Sequence, residues 1–232
     1  MALRVESPLK ASVWPGAILG SIAHAIFVAR APIMSHTQSW DGRNYNVQNT
    51  EGSRGTIAFG ENNESFVGMF FLEESPRNPL QTRSSTAFDR KQLLRGLPSA
   101  LDAVAGEATQ YLLQEVRGVD MPVFTAAFWS VSDGDRILAA EPWDEVIQNG
   151  GILVNKQFSP ITEAFDVWEE EFELTAPELD LLKSLFTRRI ANPNISISLL
   201  PREKELLEST ADELEGMAAC KESLAEIGIS LS

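Results

Sequence analysis

The stretch TIAFGENNESFVGMFFL, residues 56–72, indicates the fold class of this chain. Two apolar runs, at residues 56–59 and 66–72, flank the segment 60–65, whose glycine, asparagines and serine favour a tight turn. Because apolar runs joined by such a turn pair with each other, they predict an antiparallel β-hairpin.

The sequence beyond this hairpin predicts an α+β fold. A second antiparallel hairpin is expected where residues 123–131 would pair with residues 136–140. About six helices surround the two hairpins, because helix-start signals and apolar periodicity recur along the chain. The helical segments are residues 17–28, 89–95, 98–117, 142–150, 159–173, a segment from 175 to Pro193, and one or two helices from residue 201. The C-terminal third is therefore helical, which together with the hairpins defines the class.

The domain organisation follows from the same distribution of elements. Residues 1–155 are predicted to form an α+β core, and residues 156–232 a helical C-terminal region packed on it. The boundary segment does not have the composition of a flexible linker, so we expect one compact domain. A separate helical subdomain is the alternative.

Composition excludes several functional classes. The chain of 232 residues has one cysteine and two histidines, so we expect no disulfide, no metal and no cofactor. A net charge of −14 argues against direct nucleic-acid binding. The apolar run 17–28 is too short to span a bilayer and is interrupted by His24, so we expect a buried helix, no membrane partner and a cytoplasmic location.

The negative charge is concentrated in the second half of the chain. Residues 1–118 carry 11 basic and 11 acidic side chains, whereas residues 119–232 carry 8 basic and 22 acidic ones. Two explanations remain open: solubility, or a surface that steers a basic protein partner. The candidate face lies on the helix from residue 159, whose Phe165 and Trp168 are expected to face the core. Its members are Glu163, Asp166, Glu169, Glu170 and Glu173.

A polar stretch at residues 33–55 is the second candidate site. It combines aromatic, acidic and basic side chains with glycines, a mixture that small-molecule pockets use. The candidate ligand residues are His36, Trp40, Asp41, Arg43, Tyr45, Glu51 and Arg54. If they form a site, Asp41 and Arg54 should converge on one concavity. Alternatively, this is an ordered loop whose aromatic residues fill the edge of the core.

Recognisable catalytic motifs are absent from the sequence. There is no G-x-S-x-G nucleophile elbow, and Cys220 is expected to be inert inside a C-terminal helix. His24 has a suitable ordinary pKa for general-base catalysis, but a lone histidine on an apolar helix is more often a hydrogen-bonded core residue. We therefore expect a non-enzymatic interaction protein, similar in kind to an immunity or antitoxin protein. A small-molecule binder or enzyme using residues 36–54 is the alternative.

Overall fold

The computed structural model of the chain describes residues 7–81, 90–116 and 118–231. Asp89 and Arg117, which the predicted helices included, lie outside the described residues. Packing divides the chain into two compact units. The first unit consists of Met1–Ala11 and Arg43–Asn155, and the second of Ser12–Gly42 and Lys156–Ser232. Residues 12–42 thus belong with the C-terminal helices, although the sequence analysis placed them with the preceding core.

Helices and mostly antiparallel strands alternate irregularly along the described chain, which confirms the α+β class. The α-helices are α1 (Val13–Val28), α2 (Asp102–Gln110), α3 (Trp143–Gln148), α4 (Ile161–Phe172), α5 (Ala176–Ala191), α6 (Pro201–Thr210) and α7 (Glu213–Glu226). The strands are β1 (Gln38–Asp41), β2 (Asn44–Gln48), β3 (Arg54–Phe59), β4 (Phe66–Phe71), β5 (Leu113–Val116), β6 (Val119–Pro122), β7 (Ala126–Ser130), β8 (Ile197–Ser198) and β9 (Ile229–Ser230).

Within the first unit, four strands form an antiparallel sheet in the order β2-β3-β4-β7. The predicted first hairpin is confirmed, since β3 pairs with β4 and Phe59 lies opposite Phe66. Every residue of β4 is buried, as expected for a central strand with both faces covered. Helix α2 packs against β3 and β4 and closes one face of the sheet.

The second predicted hairpin is reduced to a single bridge. Strand β7 pairs along β4, and residues 136–140 contribute two isolated antiparallel bridges: Arg136 with Leu9 and, across the predicted hairpin, Leu138 with Trp129. The two backbone N–H···O bonds of the latter bridge measure 2.7 and 2.8 Å. Strand β4 offers β7 a longer and fully buried ladder, and this long-range pairing is not visible from local sequence.

The helix predicted over residues 98–117 ends earlier, at Gln110. Strands β5 and β6 follow it as an antiparallel ribbon, with Val116 opposite Val119. Gly118 in the connecting turn has φ +80°, a conformation that glycine adopts without strain. The alternation of exposed and half-buried residues along β5 has the two-residue period of a strand, which overrides the apolar spacing that predicted a helix.

In the second unit, α1 is the central element. It packs against α4, α5 and α7, and 13 of its 16 residues are buried, as the sequence predicted for an all-apolar helix. The segment Lys10–Val28 is also long and apolar enough to cross a membrane by composition alone. The surrounding helices account for that composition, because a helix that is hydrophobic all round needs apolar neighbours on every side.

Helices α4 and α5 cover one flank of α1. Trp168 is 2% exposed and lies against Gly20, where an added Cβ would come within 2.7 Å of the indole. Phe165 is half-buried, and its ring packs edge-on against Phe186 at 5.6 Å between ring centroids. Helix α5 begins with a capping box, in which the Thr175 backbone N–H donates to Glu178.

Replacement of Trp168 by alanine should destabilise the protein by about 3–5 kcal/mol, because it removes a large buried aromatic ring and leaves a cavity beside α1. Denaturant unfolding followed by circular dichroism measures the change. The half-buried Phe165→Ala variant is the comparison and should lose less. A loss below about 1 kcal/mol for Trp168→Ala would contradict the packing described here.

Two helical glycines provide a matched pair for testing close packing. Gly216 of α7 lies so near the end of α1 that an added Cβ would come within 1.9 Å of the Ala29 carbonyl oxygen. Gly106 of α2 has nothing within 4 Å of the same position. Gly216→Ala should therefore lower the melting temperature, whereas Gly106→Ala should stabilise by about 0.5–1 kcal/mol through helix propensity. Equal effects in the two variants would refute the close contact at Gly216.

Candidate functional site

The predicted acidic residues of α4 form a stripe on the solvent side of that helix. Glu163, Asp166, Glu170 and Glu173 are all exposed, and they follow one another at separations of three, four and three residues. Such spacing places the side chains of Glu163, Asp166 and Glu170 along one helical face, and Glu173 follows directly after the last residue of α4. We call these four residues the acidic stripe. Glu169, the fifth predicted member, is half-buried at the border of the stripe.

The acidic stripe is electrostatically uncompensated by its own helix. Neighbouring like charges three or four residues apart destabilise a helix by about 0.2–0.5 kcal/mol per pair. The last turn of α4 has no basic residue, although a helix C-terminus favours positive charge. Among the described residues, the ion pair that α4 makes joins Glu171 to Lys156, and Glu171 is not part of the stripe.

Arg30 stabilises the backbone at this end of α4. Its guanidinium donates hydrogen bonds to the carbonyl oxygens of Phe172 and Glu173, the latter at 3.0 Å, and lies 3.5 Å from Glu178. The Leu174 N–H closes the helix by donating to the Glu169 carbonyl oxygen at 3.0 Å. Arg30 thus contacts backbone carbonyl oxygens and Glu178, whereas the four residues of the stripe are exposed to solvent.

Glu173 occupies a backbone position that normally belongs to glycine. Its φ and ψ are both 48°, the left-handed conformation, directly after the last residue of α4. A non-glycine residue adopts this conformation at a cost of about 1 kcal/mol. An acidic side chain is therefore held at the end of the stripe in spite of backbone strain and the unfavourable helix dipole.

The other predicted site, the polar stretch 33–55, is divided between the two units. In the second unit, His36 is exposed and its Nδ1 lies 2.8 Å from the Ile33 carbonyl oxygen. Trp40 donates its indole N–H to Ser21 at 2.8 Å and its backbone N–H to Glu226 at 2.7 Å. Asp41 is exposed at the end of β1. Trp40 is thus anchored to α1 and α7 through both of its N–H groups.

The remaining four residues lie in the first unit. Arg43 and Arg54 lie at opposite ends of the β2–β3 pairing, in which Asn44 faces Ala58 and Gln48 faces Arg54. Between them Tyr45 is fully buried, whereas Glu51 is exposed in the turn. Residues 44–48 are a strand rather than a loop, and the alternating burial of Tyr45 and Val47 is a two-residue period that the sequence already contained.

Arg43 and Arg54 also have separate interactions. The Arg43 guanidinium lies 3.9 Å from Glu107, and both side chains are well exposed. Arg54 lies over the Phe71 ring and donates to the Gln114 side-chain oxygen at 2.8 and 2.9 Å when that amide is oriented towards it. Burial lowers the pKa of Arg54, and the Glu73 carboxylate opposes that change. Within the first unit, the predicted ligand residues therefore do not form one common site.

A narrow open crevice of about 170 Å³ lies in the second unit beside Trp40. Its lining residues are Ser21, His24, Gln38, Ser39, Trp40, Ser223 and Glu226. Burial raises the pKa of Glu226, the Trp40 N–H lowers it, and the nearby carboxylates of Glu222 and Asp41 raise it further. The surrounding side chains leave no room for a ligand in the crevice. Its polar groups are also paired already, because Trp40 donates its indole N–H to Ser21 and its backbone N–H to Glu226.

His24 is the buried histidine of the crevice. It is 1% exposed, and burial lowers its pKa from 6.5 to about 4, against the opposing effect of the Met34 carbonyl hydrogen bond. The imidazole is therefore neutral near pH 7. Its Nε2 lies 3.1 Å from the Met34 carbonyl oxygen and 3.0 Å from the Thr37 hydroxyl. These contacts agree with a hydrogen-bonded core histidine.

Thiol and metal chemistry receive no structural support within the described ranges. Burial raises the pKa of Cys220 to about 12, so this thiol is protonated and unreactive at neutral pH. In the part of the chain that the structure describes, no group of three or more His, Cys, Asp or Glu side chains is arranged to hold a metal ion.

A buried polar network in the first unit was not found from sequence. Arg77 donates to Glu141 at 2.6 Å and to Glu145 at 3.1 Å. Ser75 donates to the Asn149 side-chain oxygen at 2.7 Å, and the Asn149 amide donates to the Glu145 carbonyl oxygen at 2.8 Å. The network fastens the segment after β4 to the end of α3. The bonds made by Ser75 and Arg77 join residues more than sixty positions apart, and no local pattern indicates them.

Comparison of the chain with protein-family models, curated proteins and solved structures finds no match.

Replacing Glu173 by glycine should stabilise the protein by about 0.5–1 kcal/mol, because glycine relieves the left-handed strain and the change removes one negative charge at a helix C-terminus. Thermal or denaturant unfolding measures this change. Glu173→Gln is the control, because it removes the charge and keeps the strain. Destabilisation by glycine would show that the Glu173 side chain makes a stabilising interaction of its own.

Proposed function

We propose that this protein is a non-enzymatic interaction protein whose acidic stripe binds a basic protein partner. One observation carries the proposal: three exposed carboxylates share one face of α4, a fourth follows at its end, and none of these four forms an ion pair with a described lysine or arginine. The chain would act in the manner of an immunity or antitoxin protein, which masks a basic target. A cytoplasmic location is part of this proposal.

The physical basis is electrostatic steering. A helix face of one charge sign raises the rate at which an oppositely charged protein encounters it, most strongly at low ionic strength. Binding would also relieve the repulsion within the stripe, because lysine and arginine side chains of the partner would lie between its carboxylates. Glu173 occupies a strained left-handed conformation, and such strain clusters at functional positions, which supports a role of the stripe other than stability.

A small-molecule site at residues 36–54 receives less support. Tyr45 is fully buried in the sheet, Trp40 is anchored through both N–H groups, and Arg54 is held by Gln114 and Phe71. These contacts give the aromatic and basic residues structural roles, in agreement with the ordered-loop alternative.

Reversing the charge of the stripe should abolish partner binding. The variant Glu163→Lys, Glu170→Lys, Glu173→Lys changes the net charge by six units at exposed positions. Its matched control reverses three exposed acidic residues of the first unit, Glu61, Glu64 and Asp120. Affinity capture from native lysate at low salt should recover a protein of high isoelectric point with the wild type and the control, and lose it with the stripe variant.

The recovered protein must then be purified and its association rate measured at several salt concentrations. We expect a steep fall with rising salt, because the Debye length shrinks to about 10 Å at 0.1 M, and an association rate at least about tenfold lower for the stripe variant at low salt. The proposal is wrong if the stripe variant keeps the same partners with unchanged salt dependence. Equal losses in the stripe variant and its control would point to net charge rather than to α4.

A further inference from the structure

We propose that His24 is an acid-operated latch that holds the segment Pro32–Thr37 against helix α1. This 3₁₀-helical segment, which we call the latch segment, follows α1 in the second unit and precedes β1. The proposal concerns a conformational equilibrium within that unit and is independent of the function proposed for α4.

The latch rests on the position of one imidazole nitrogen. His24 lies in the interior of α1, and its Nε2 is within hydrogen-bond distance of two groups of the latch segment, the Met34 carbonyl oxygen and the Thr37 hydroxyl. The Thr37 hydroxyl also donates to the Met34 carbonyl oxygen at 3.0 Å, so the three groups form a closed cluster. A single buried side chain therefore joins α1 to both halves of the segment.

Burial of His24 disfavours a positive charge on its ring, and this effect is larger than the opposing effect of the Met34 carbonyl oxygen. The ring lies tilted against Phe172 of α4, with 6.1 Å between ring centroids. From the latch segment, His36 adds repulsion when both histidines are protonated. From α7, Glu226 lines the same crevice, but its carboxylate accepts the Trp40 N–H of β1. Trp40, Gln38 and Ser39 of β1 and Ser223 of α7 complete the crevice without a further charge.

Because a carbonyl oxygen only accepts, the Nε2 that faces Met34 carries a hydrogen in both protonation states, and the second proton is added at Nδ1. The Met34 hydrogen bond favours the charged ring, but burial outweighs it, so protonation drives release of the segment. Above pH 6.5 the imidazole is neutral whether it is latched or free. Below that value a free imidazole takes up a proton, whereas the latched one does so only near pH 4, because burial lowers its pKa to about 4. The stabilising effect of the latch is thus complete above pH 6.5 and is lost as the pH falls towards 4. The full shift corresponds to an increase of about 300-fold in the open population.

Release should loosen the latch segment and β1 before the rest of the unit. Trp40 follows the segment by three residues and holds β1 to α1 and α7. Helix α5 packs on α1 without involving His24 in a hydrogen bond, so it should keep its protection while the latch is open. This difference separates a local latch from general acid unfolding.

Hydrogen exchange of the full chain, measured by mass spectrometry between pH 7 and pH 5, tests the latch. We expect the protection factor of peptides covering residues 31–41 to fall about 20-fold, after correction for the intrinsic exchange rate, while peptides of α5 change little. His24→Gln keeps a hydrogen-bond donor that does not titrate, and should remove the fall. His36→Gln, which removes the exposed histidine of the same segment, should keep it.

Two further measurements test the latch even if His24→Gln fails to fold. Titration of the wild-type His24 ring by NMR should give a midpoint near pH 4, and the amides of residues 31–41 should shift with the same midpoint. Thr37→Val should lower protection of the segment at neutral pH but preserve its pH dependence. The proposal is overturned if His24→Gln loses protection as the wild type does, if α5 loses protection in step with residues 31–41, or if His24 titrates near 6.5.

Discussion

Burial of α1 is the constraint on which the second unit depends. A helix that is apolar on every side has no face to present to water, so it is stable only when other elements surround it. Helices α4, α5 and α7 supply that cover, which explains why residues from both ends of the chain form one unit. The close approaches at Gly20 and Gly216 follow, because large side chains there would hold the helices apart.

The position of the acidic stripe is a consequence of the same packing. Ala164 and Trp168 of α4 are buried against the core around α1, and this fixes the rotation of α4 about its axis. The carboxylates on the opposite face of α4 are therefore exposed to solvent. Arg30, which follows α1, donates to carbonyl oxygens at the end of α4 and lies close to Glu178 at the start of α5. Its charge therefore stabilises these two helix ends.

Much of the fold and part of the candidate site could be predicted because their signals are local. The hairpin of β3 and β4, the burial of Trp168, the capping box at Thr175 and the exposure of Glu163 and Glu170 all follow from patterns shorter than about fifteen residues. The structure of the polar stretch 33–55 is harder to predict, because its two local signals disagree. Its composition is that of a loop, whereas Tyr45 and Val47 alternate with polar residues as in a strand. The pairing of β2 with β3 makes residues 44–48 a strand.

The sequence by itself determined the α+β class, the wholly apolar character of α1 and the segregation of charge to one face of α4. It also determined that the chain has one cysteine and two histidines, which limits the thiol and imidazole groups available to bind a metal ion. Tertiary structure decided that β7 pairs with β4, that residues 12–42 join the C-terminal helices, and that Arg77, Glu141 and Asn149 meet in one network. The physical reason is that propensity and periodicity act between near neighbours, whereas these pairings depend on which distant surfaces bury each other most completely.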